Sequence, residues 1–316
     1  MDYILAMIVS LLIALITMPF LMKLANKLHF TDKPNKRKQH KRATPLCGGI
    51  ALYIGFFTSY FIFVRDDLNQ QITVFIAATM IVLIGLIDDW YKTKGKEFPI
   101  FPRLVVQLFS AILVFKAGIV FVGFTNPITG NFTELNQTIQ FGLTITWIFG
   151  VTTVINWSDG MDGLAGGLSL ISAITFFLAA IILNQSESAL VSIILTGAIL
   201  GFLYYNKYPA KVFMGDSGAN LLGFILSITA LDGAFKQATV MSLFIPILAL
   251  AVPIFDNLFV IFKRFSEGKP VYQADRSQIH FRLEEKGFST VQVINYIMLI
   301  SFMFSAISIV LLLLKR

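Results

Sequence analysis

The stretch YILAMIVSLLIALITMPFLMKLA, residues 3–25, contains Lys23 as its only charged side chain. A helix needs about 20 consecutive apolar residues to cross the hydrocarbon core of a bilayer. This stretch is therefore long enough to form one membrane-spanning helix. Nine more apolar stretches follow, at residues 46–64, 72–88, 103–124, 138–156, 164–183, 188–206, 218–232, 238–263 and 291–314.

The composition of the whole chain agrees with this pattern. Of its 316 residues, 56% are hydrophobic and 14% are charged, whereas a soluble domain is nearer one quarter charged. The sequence therefore predicts an all-α integral membrane protein, a bundle of about ten transmembrane helices. Pro246 and Pro253 favour a break within 238–263, which would raise the count to eleven. No internal repeat or linker divides residues 1–316, so we expect a single domain.

Other features of the composition narrow the functional class. The only cysteine, Cys47, excludes an intrachain disulfide. The net charge of +7 is typical of a membrane protein whose basic loops face anionic lipid headgroups, and we expect no nucleic-acid partner. Met1 and Asp2 lead directly into the first apolar stretch without a basic segment, so no signal peptide is predicted.

Basic residues are distributed unequally between the two sets of loops that ten spans create. One set carries most of the lysines and arginines, whereas the other has little beyond Arg65 and Lys236 before the C-terminal residues. The positive-inside rule places the basic set in the cytoplasm and both termini outside. The basic set consists of residues 26–45, 89–102, 157–163, 207–217 and 264–290.

Four groups of polar residues lie in or beside the basic loops. In the first, LIDDWYK, Asp88 and Asp89 end an apolar stretch and Lys92 follows. Adjacent carboxylates on an apolar helix repel each other, which indicates a nearby cation or a carboxyl with a raised pKa that serves as a base. Lys92 shares a helix face with Asp89, so it is a candidate phosphate contact.

The second group, NWSDGMDGLAGG, contains Asn156, Asp159 and Asp162 at three-residue spacing. In a helix these positions would lie along one face. The glycines, among them Gly160, disfavour a complete helix and permit the backbone to approach a ligand closely. Packing of small residues would account for the glycines but not for the three oxygen-bearing side chains, so we assign the group to the site.

The third and fourth groups complete the predicted site. In FMGDSGAN, the Asp216 carboxylate is a hard oxygen ligand of the kind that Mg²⁺ takes, and Phe213 is a candidate for stacking on a base. In ADRSQIHFRL, His280 lies among basic residues that indicate a diphosphate-binding patch. The neighbouring polar residues of this last group are Asp275, Arg276 and Arg282.

The motifs resemble, in order, those of the polyprenyl-phosphate N-acetylhexosamine-1-phosphate transferases. They are TDKPNKRKQHKRATPLCGG, LIDDWYK, NWSDGMDGLAGG, VFMGDSGANLLG, PIFDNLF and ADRSQIHFRL, between about residues 31 and 287. The likeness is to the bacterial branch that transfers GlcNAc-1-phosphate from UDP-GlcNAc to undecaprenyl phosphate and starts wall teichoic acid synthesis. The resemblance implies a helical bundle in the bacterial cell membrane, a cytoplasmic active-site cleft, a homodimer in many members, and a requirement for Mg²⁺, with Mn²⁺ as the alternative.

The resemblance also implies roles for single residues. Asp88 is expected to deprotonate the lipid phosphate, and Phe213 to stack on uracil. The residues expected to act in catalysis are Asp88, Asp89, Asp159, Asp162 and His280. The expected metal ligands are Asp216 and Asp89. From the residues and the resemblance together, the expected substrate contacts are Lys92, Asn156, Gly160, Phe213, Asp275, Arg276, Arg282 and Lys41.

The histidine motif departs from the family pattern. Members that transfer GlcNAc commonly have His-x-His-His, whereas residues 278–281 of this chain are Gln, Ile, His and Phe. The muramoyl-pentapeptide branch has three histidines, an aromatic residue and a Glu, and Arg282 occupies the position of that Glu. Because ADR precedes the motif as in the GlcNAc branch, we favour UDP-GlcNAc over UDP-MurNAc-pentapeptide as the donor.

Two other functional classes stay open at this point. A cation-coupled transporter also carries intramembrane acids, although such acids commonly lie near the midplane between repeated halves. A membrane scaffold with vestigial acids is the second alternative. In a transferase, the polyprenyl phosphate would attack the sugar-linked phosphorus and expel UMP, directly or through a covalent aspartyl intermediate. Acids at helix ends on one side, where cytosolic nucleotide and membrane lipid meet, favour the transferase.

Overall fold

A computed structural model describes residues 2–33, 43–65, 67–126, 129, 131–233, 240–270 and 275–314. Within these ranges the regular secondary structure is helical apart from two short antiparallel strand pairs, β1 with β2 and β3 with β4. The helices are α1 (Asp2–Lys27), α2 (Gly48–Phe63), α3 (Leu68–Thr93), α4 (Ile100–Lys116), α5 (Gln137–Trp157), α6 (Leu164–Ile182), α7 (Ser186–Asn206), α8 (Gly215–Asp232), α9 (Val240–Ala249), α10 (Ala251–Ser266), α11 (Ile279–Glu285) and α12 (Thr290–Leu314). The strands are β1 (Thr31–Asp32), β2 (Thr44–Pro45), β3 (Gly123–Thr125) and β4 (Phe132–Glu134).

Six helices in the described part of the chain are long and apolar enough to cross a membrane. They are α1, α3, α5, α6, α7 and α12. Helix α2 is also apolar but has only 16 residues. The helices support the predicted all-α, multi-pass membrane protein, whereas the count of about ten spans stays a prediction.

Two predicted stretches differ from the helices that form. The stretch 103–124 is too long, because α4 ends at Lys116 and the chain then enters β3. Gly118 has a left-handed φ of +85°, the conformation that commonly follows a helix C-terminus. The stretch 238–263 is divided at Leu250 between α9 and α10. Pro253 can lie in the first turn of α10 because backbone N–H groups there need no partner within the helix.

Helix α8 lies at the centre of the bundle. Sixteen of its eighteen residues are buried. Three neighbouring helices approach it through glycines, because a Cβ at Gly49, Gly85 or Gly223 would overlap the Gly218, Ser217 or Thr152 backbone. The first two contacts are at the N-terminal end of α8, and they hold α2 and α3 against the turn that carries Asp216.

The β1–β2 pair is joined to the same end of α8. Thr31 is opposite Pro45 in the register of the pair. The Phe213 N–H donates to the Pro45 carbonyl at 2.9 Å, and the Gly48 N–H donates to the Phe213 carbonyl at 3.0 Å. The segment that follows β2 therefore packs directly against the segment that enters α8.

Candidate active site

The C-terminal end of α3, the first turn of α4 and the N-terminal end of α8 meet at one end of the bundle. Lys92 Nζ lies 2.6 Å from Asp216 Oδ1 and 3.5 Å from Asp88 Oδ2. Arg103 Nη1 lies 2.9 Å from Asp88 Oδ2 and 3.5 Å from Asp216 Oδ2. The structure thus brings together Asp88, Lys92 and Asp216, as the sequence predicted, and adds Arg103 to them.

The two cations of this cluster lie nearer to solvent than its two carboxylates. The side chains of Lys92 and Arg103 are 40% and 28% exposed, whereas those of Asp88 and Asp216 are 2% and 16% exposed. An anionic ligand that approaches the cluster would meet the cations first. Ammonium and guanidinium groups form strong, charge-assisted hydrogen bonds with phosphate oxygens.

Asp89 holds the start of α8. Its carboxylate is fully buried and accepts the backbone N–H groups of Asp216 at 2.8 Å and Ser217 at 3.2 Å, and the Ser217 hydroxyl at 3.0 Å. Gly215 has a φ of +69°, and a Cβ there would overlap the Asp89 carboxylate. Asp89 therefore positions Asp216 in this arrangement, and its role as a metal ligand stays a prediction.

The connection between α5 and α6, residues 158–163, carries two of the predicted acids. Asn156 is in the last turn of α5, but Asp159 and Asp162 follow the helix end, so the three do not share a helix face. Burial and the negative charge of Asp216 raise the Asp159 pKa to about 7, although Lys92 opposes the shift. Asp159 thus belongs to the electrostatic environment of Asp216.

His280 contacts the same connection from α11. It is 2% exposed, and its ring lies so close to Gly160 that a Cβ there would overlap Nε2. Its Nε2 has no hydrogen-bond partner among the described residues. Burial and the nearby Arg276 charge lower the His280 pKa to about 4, so the imidazole is neutral at neutral pH.

An aspartate of α10 holds the start of α11. The Asp256 carboxylate accepts the Ile279 N–H at 2.9 and 3.0 Å and the Arg282 guanidinium at 2.8 Å. Arg282 is therefore engaged within the protein. This contact fixes the helix that carries His280.

The other two predicted residues of this segment differ in their surroundings. Asp275 forms two hydrogen bonds with the Arg264 guanidinium, at 2.9 and 3.2 Å, and this contact lowers the Asp275 pKa to about 2. The Arg276 side chain is 60% exposed, with its guanidinium 4.8 Å from the Phe281 ring centroid. Arg276 is thus the more accessible of the two to a ligand.

Two of the three remaining predicted contacts, Asn156 and Phe213, lie within the described residues. Asn156 Nδ2 is buried and has no hydrogen-bond partner among the described residues, so it retains a donor for a ligand. Phe213 is partly buried and lies three residues before Asp216. Lys41 lies outside the described residues.

Comparison with known proteins gives the family of the chain. The family model described as "Glycosyl transferase family 4" matches residues 71–234. A Bacillus subtilis protein named "Probable undecaprenyl-phosphate N-acetylglucosaminyl 1-phosphate transferase" is 37% identical over 306 residues, which cover 97% of this chain and 84% of the relative. The chain belongs to glycosyl transferase family 4. The matched residues include Asp88, Asp159 and Asp216, and the family resemblance given by the motifs is confirmed.

Two further relatives of this chain have related names. "Decaprenyl-phosphate N-acetylglucosaminephosphotransferase" of Mycobacterium leprae is 31% identical, with 87% of this chain and 75% of the relative covered. "Undecaprenyl-phosphate alpha-N-acetylglucosaminyl 1-phosphate transferase" of Escherichia coli is 27% identical, with 92% and 78% covered. The family and these relatives together support a sugar-phosphate transferase.

The carboxylate oxygens of this site suit a hard cation that needs few protein ligands. No three His, Cys, Asp or Glu side chains are arranged to hold a metal in the described ranges. Mg²⁺, however, takes one or two carboxylates and completes its shell with water and substrate phosphate. Asp88 and Asp216 face the same two cations, so their carboxylates lie close enough together to share such an ion.

Three residues in or beside the candidate active site were not predicted from the sequence. Arg103 is the first residue of the predicted apolar stretch 103–124, a position where a lone cation is common. Asp256 lies in the motif PIFDNLF, which by itself indicates no role for it. Asn206 is the last residue of α7, and its side-chain oxygen accepts the N–H of Gly163 in the connection that carries Asp159. The available signal was Asp256, an acid inside an apolar helix, because such residues are costly there.

Proposed function

We propose that the protein transfers GlcNAc-1-phosphate from UDP-GlcNAc to undecaprenyl phosphate, forming undecaprenyl-diphospho-GlcNAc and UMP. The observation that carries the proposal is the cluster of Asp88, Lys92, Arg103 and Asp216, which pairs deep carboxylates with more exposed cations. The names of the relatives support the lipid acceptor and the GlcNAc-phosphate group. A transporter is less well supported, because the acids cluster at the end of α3 and the start of α8.

The residues of the cluster supply the functions that phosphoryl transfer needs. An oxygen of the acceptor phosphate forms a bond to the sugar-linked phosphorus, and the bond from that phosphorus to UMP breaks. Lys92 and Arg103 would hold the phosphate oxygens in line and offset their charge. Asp88 would accept the acceptor's proton where one is present, although the second pKa of a phosphate near 6 leaves much of it dianionic.

We further propose that Mg²⁺ is held by Asp216, with Asp88 beside it. When bound, the ion would neutralise charge on the diphosphate and on the leaving phosphate. Asp89 would hold Asp216 in place through the three hydrogen bonds at the start of α8. Mn²⁺ is the expected substitute, because it accepts the same oxygen ligands.

An assay with purified protein tests this reaction. The protein would be mixed with undecaprenyl phosphate, UDP-GlcNAc and Mg²⁺, and released UMP and lipid product would be measured in equal amounts. Asp216→Asn should reduce both by at least about 100-fold. Asp232→Asn, the same change at the opposite end of α8, should retain activity. No UMP with any UDP-N-acetylhexosamine would refute the transferase.

The choice of donor separates the branches of the family. UDP-GlcNAc should support UMP release, and UDP-MurNAc-pentapeptide should not; the reverse result would assign the muramoyl-pentapeptide branch.

We also propose that the lipid product starts a cell-wall polymer of the teichoic acid type. Depletion of the protein in its host should then lower wall-bound polyol phosphate while peptidoglycan synthesis continues, and unchanged wall phosphate would contradict this role.

We propose that the site faces the cytoplasm and that both termini lie outside. The support is the distribution of basic residues, which concentrates them in loops on one side. The test uses a Cys47→Ser background with one new cysteine, either Lys96→Cys beside the site or Thr133→Cys in β4. An impermeant thiol reagent should label the second in intact cells and the first only after permeabilisation. The opposite pattern would invert the topology.

A further inference from the structure

Two connections that surround the candidate site are joined by a buried amide. Asn206, the last residue of α7, is 3% exposed. Its Oδ1 accepts the Gly163 N–H at 3.0 Å, and its Nδ2 donates to the Val212 carbonyl at 2.8 Å. One side chain therefore connects residues 158–163, which lead into α6, with residues 207–214, which lead into α8.

A third hydrogen bond joins the same two connections from the opposite direction. The Asp162 Oδ2 accepts the Ala210 N–H at 2.9 Å. Gly163 has a φ of +76°, a conformation that few other residues adopt without strain. Asp162 is thus bonded to the second connection directly, and Gly163 is linked to it through Asn206, immediately before α6 begins.

We propose that Asn206 is a positioning residue that holds Asp159 at a fixed position relative to Asp216. Asp159 lies in the first connection, four residues before Gly163, and Asp216 follows the second connection, four residues after Val212. Asn206 has almost no surface left for a ligand, and both ends of its amide are bound to the protein. It therefore acts on the reaction through the two connections and not by contact with substrate.

The proposal predicts a kinetic effect without a large effect on binding. Displacements near 1 Å can cost about 100-fold in rate. Asn206→Leu, which has a similar shape but forms neither hydrogen bond, should lower kcat by about 10- to 100-fold. The KM values for both substrates should change by less than about threefold, because no substrate contact is removed. This arm rests on the proposed transferase activity.

A second measurement does not depend on activity. Hydrogen–deuterium exchange of the full-length protein in detergent should show faster uptake in 158–163 and 207–214 of Asn206→Leu. The matched control is Gln71→Leu, because Gln71 is also a buried amide and donates to the Val64 carbonyl at 2.9 Å. Gln71 is in α3 roughly 25 Å from Asp88 along the helix, so its substitution should change neither segment.

The two measurements separate the possible failures. Unchanged uptake in both segments would overturn the proposal, whether or not the wild-type protein transfers sugar phosphate. Faster uptake with unchanged kcat in an active enzyme would overturn the link to Asp159 and Asp216. A double-mutant cycle with Asp162→Ala should show effects on uptake that are less than additive. If Asn206→Leu does not fold, Asn206→Ser, which is too short to make both bonds, replaces it.

Discussion

At the residue scale, Arg103 is the second cation of the site and contacts both Asp88 and Asp216. Arg103→Gln would remove a charge that balances two largely buried carboxylates and that faces an incoming phosphate. We expect UMP release to fall by roughly 10- to 100-fold. The control is Lys96→Gln, at an exposed lysine in the connection between α3 and α4. This variant should retain activity. Equal activity of the two variants would contradict a role for Arg103.

The position of Arg103 shows which part of the site required the fold. The sequence predicted that Asp88, Lys92 and Asp216 would converge, because carboxylates and a lysine at the ends of apolar helices on one side of a membrane indicate a shared polar site. Arg103 was not predicted: it is the first residue of the apolar stretch 103–124, and a single arginine at the start of such a stretch does not by itself indicate a site. Only the packing of α4 on α3 turns its side chain toward Asp88.

His280 gives a stability prediction with a defined pH window. Its pKa falls from 6.5 to about 4 on folding, because of burial and the Arg276 charge. The unfolded chain therefore binds a proton near pH 6.5 that the folded protein does not bind until about pH 4. Stability due to this group is present above pH 6.5 and is lost as the pH falls to about 4, in total roughly 3 kcal/mol.

The measurement is the thermal unfolding midpoint in detergent at pH 7 and at pH 4.5. His280→Gln cannot titrate, so its midpoint should fall less on acidification than that of the wild type. His29→Gln, at an exposed histidine, should retain the full wild-type dependence. Parallel curves for the wild type and His280→Gln would show that His280 is not buried as a neutral group.

At the element scale, α11 depends on a residue of α10 for its position. Asp256 accepts the Ile279 N–H and the Arg282 guanidinium, and both bonds are lost in Asp256→Ala. We expect faster proteolysis or hydrogen exchange within 275–285 and at least about a tenfold loss of UMP release, because His280 loses its support against Gly160.

The control for Asp256 is another helix-starting aspartate far from the site. The Asp67 carboxylate accepts the Asn69 N–H at the start of α3, and Asp67→Ala should lower stability by about 1 kcal/mol without lowering activity. If the two variants lose equal stability and equal activity, Asp256 has only a general helix-capping role.

Element boundaries could be predicted where a residue type fixes the backbone. Pro246 and Pro253 predicted a break within 238–263, and the structure has one at Leu250, between the end of α9 and the start of α10. The end of α4 was placed too late, because the residues after Gly118 remain apolar up to Phe124. Hydrophobicity alone cannot distinguish a helix that continues from a chain that turns into β3, and the left-handed Gly118 decides between them.

At the scale of the whole molecule, α8 is surrounded by protein, whereas α1 exposes large apolar side chains along its length. In the sequence both are simply apolar stretches. The difference follows from where small residues allow helices to approach, and it could not be predicted without the neighbouring helices. Because α8 begins with Asp216, the packing around it also sets the geometry of the candidate site.

This packing predicts a large difference between two glycine substitutions. A Cβ at Gly85 of α3 would overlap the Ser217 backbone, so Gly85→Ala must separate α3 from α8. We expect a loss of about 1–3 kcal/mol of stability and lower UMP release, because Asp88 and Asp89 move with α3. Gly150→Ala in α5 meets no atom within 4 Å and should be neutral or stabilising by up to about 1 kcal/mol. Equal thermal midpoints for the two variants would contradict the close packing of α3 on α8.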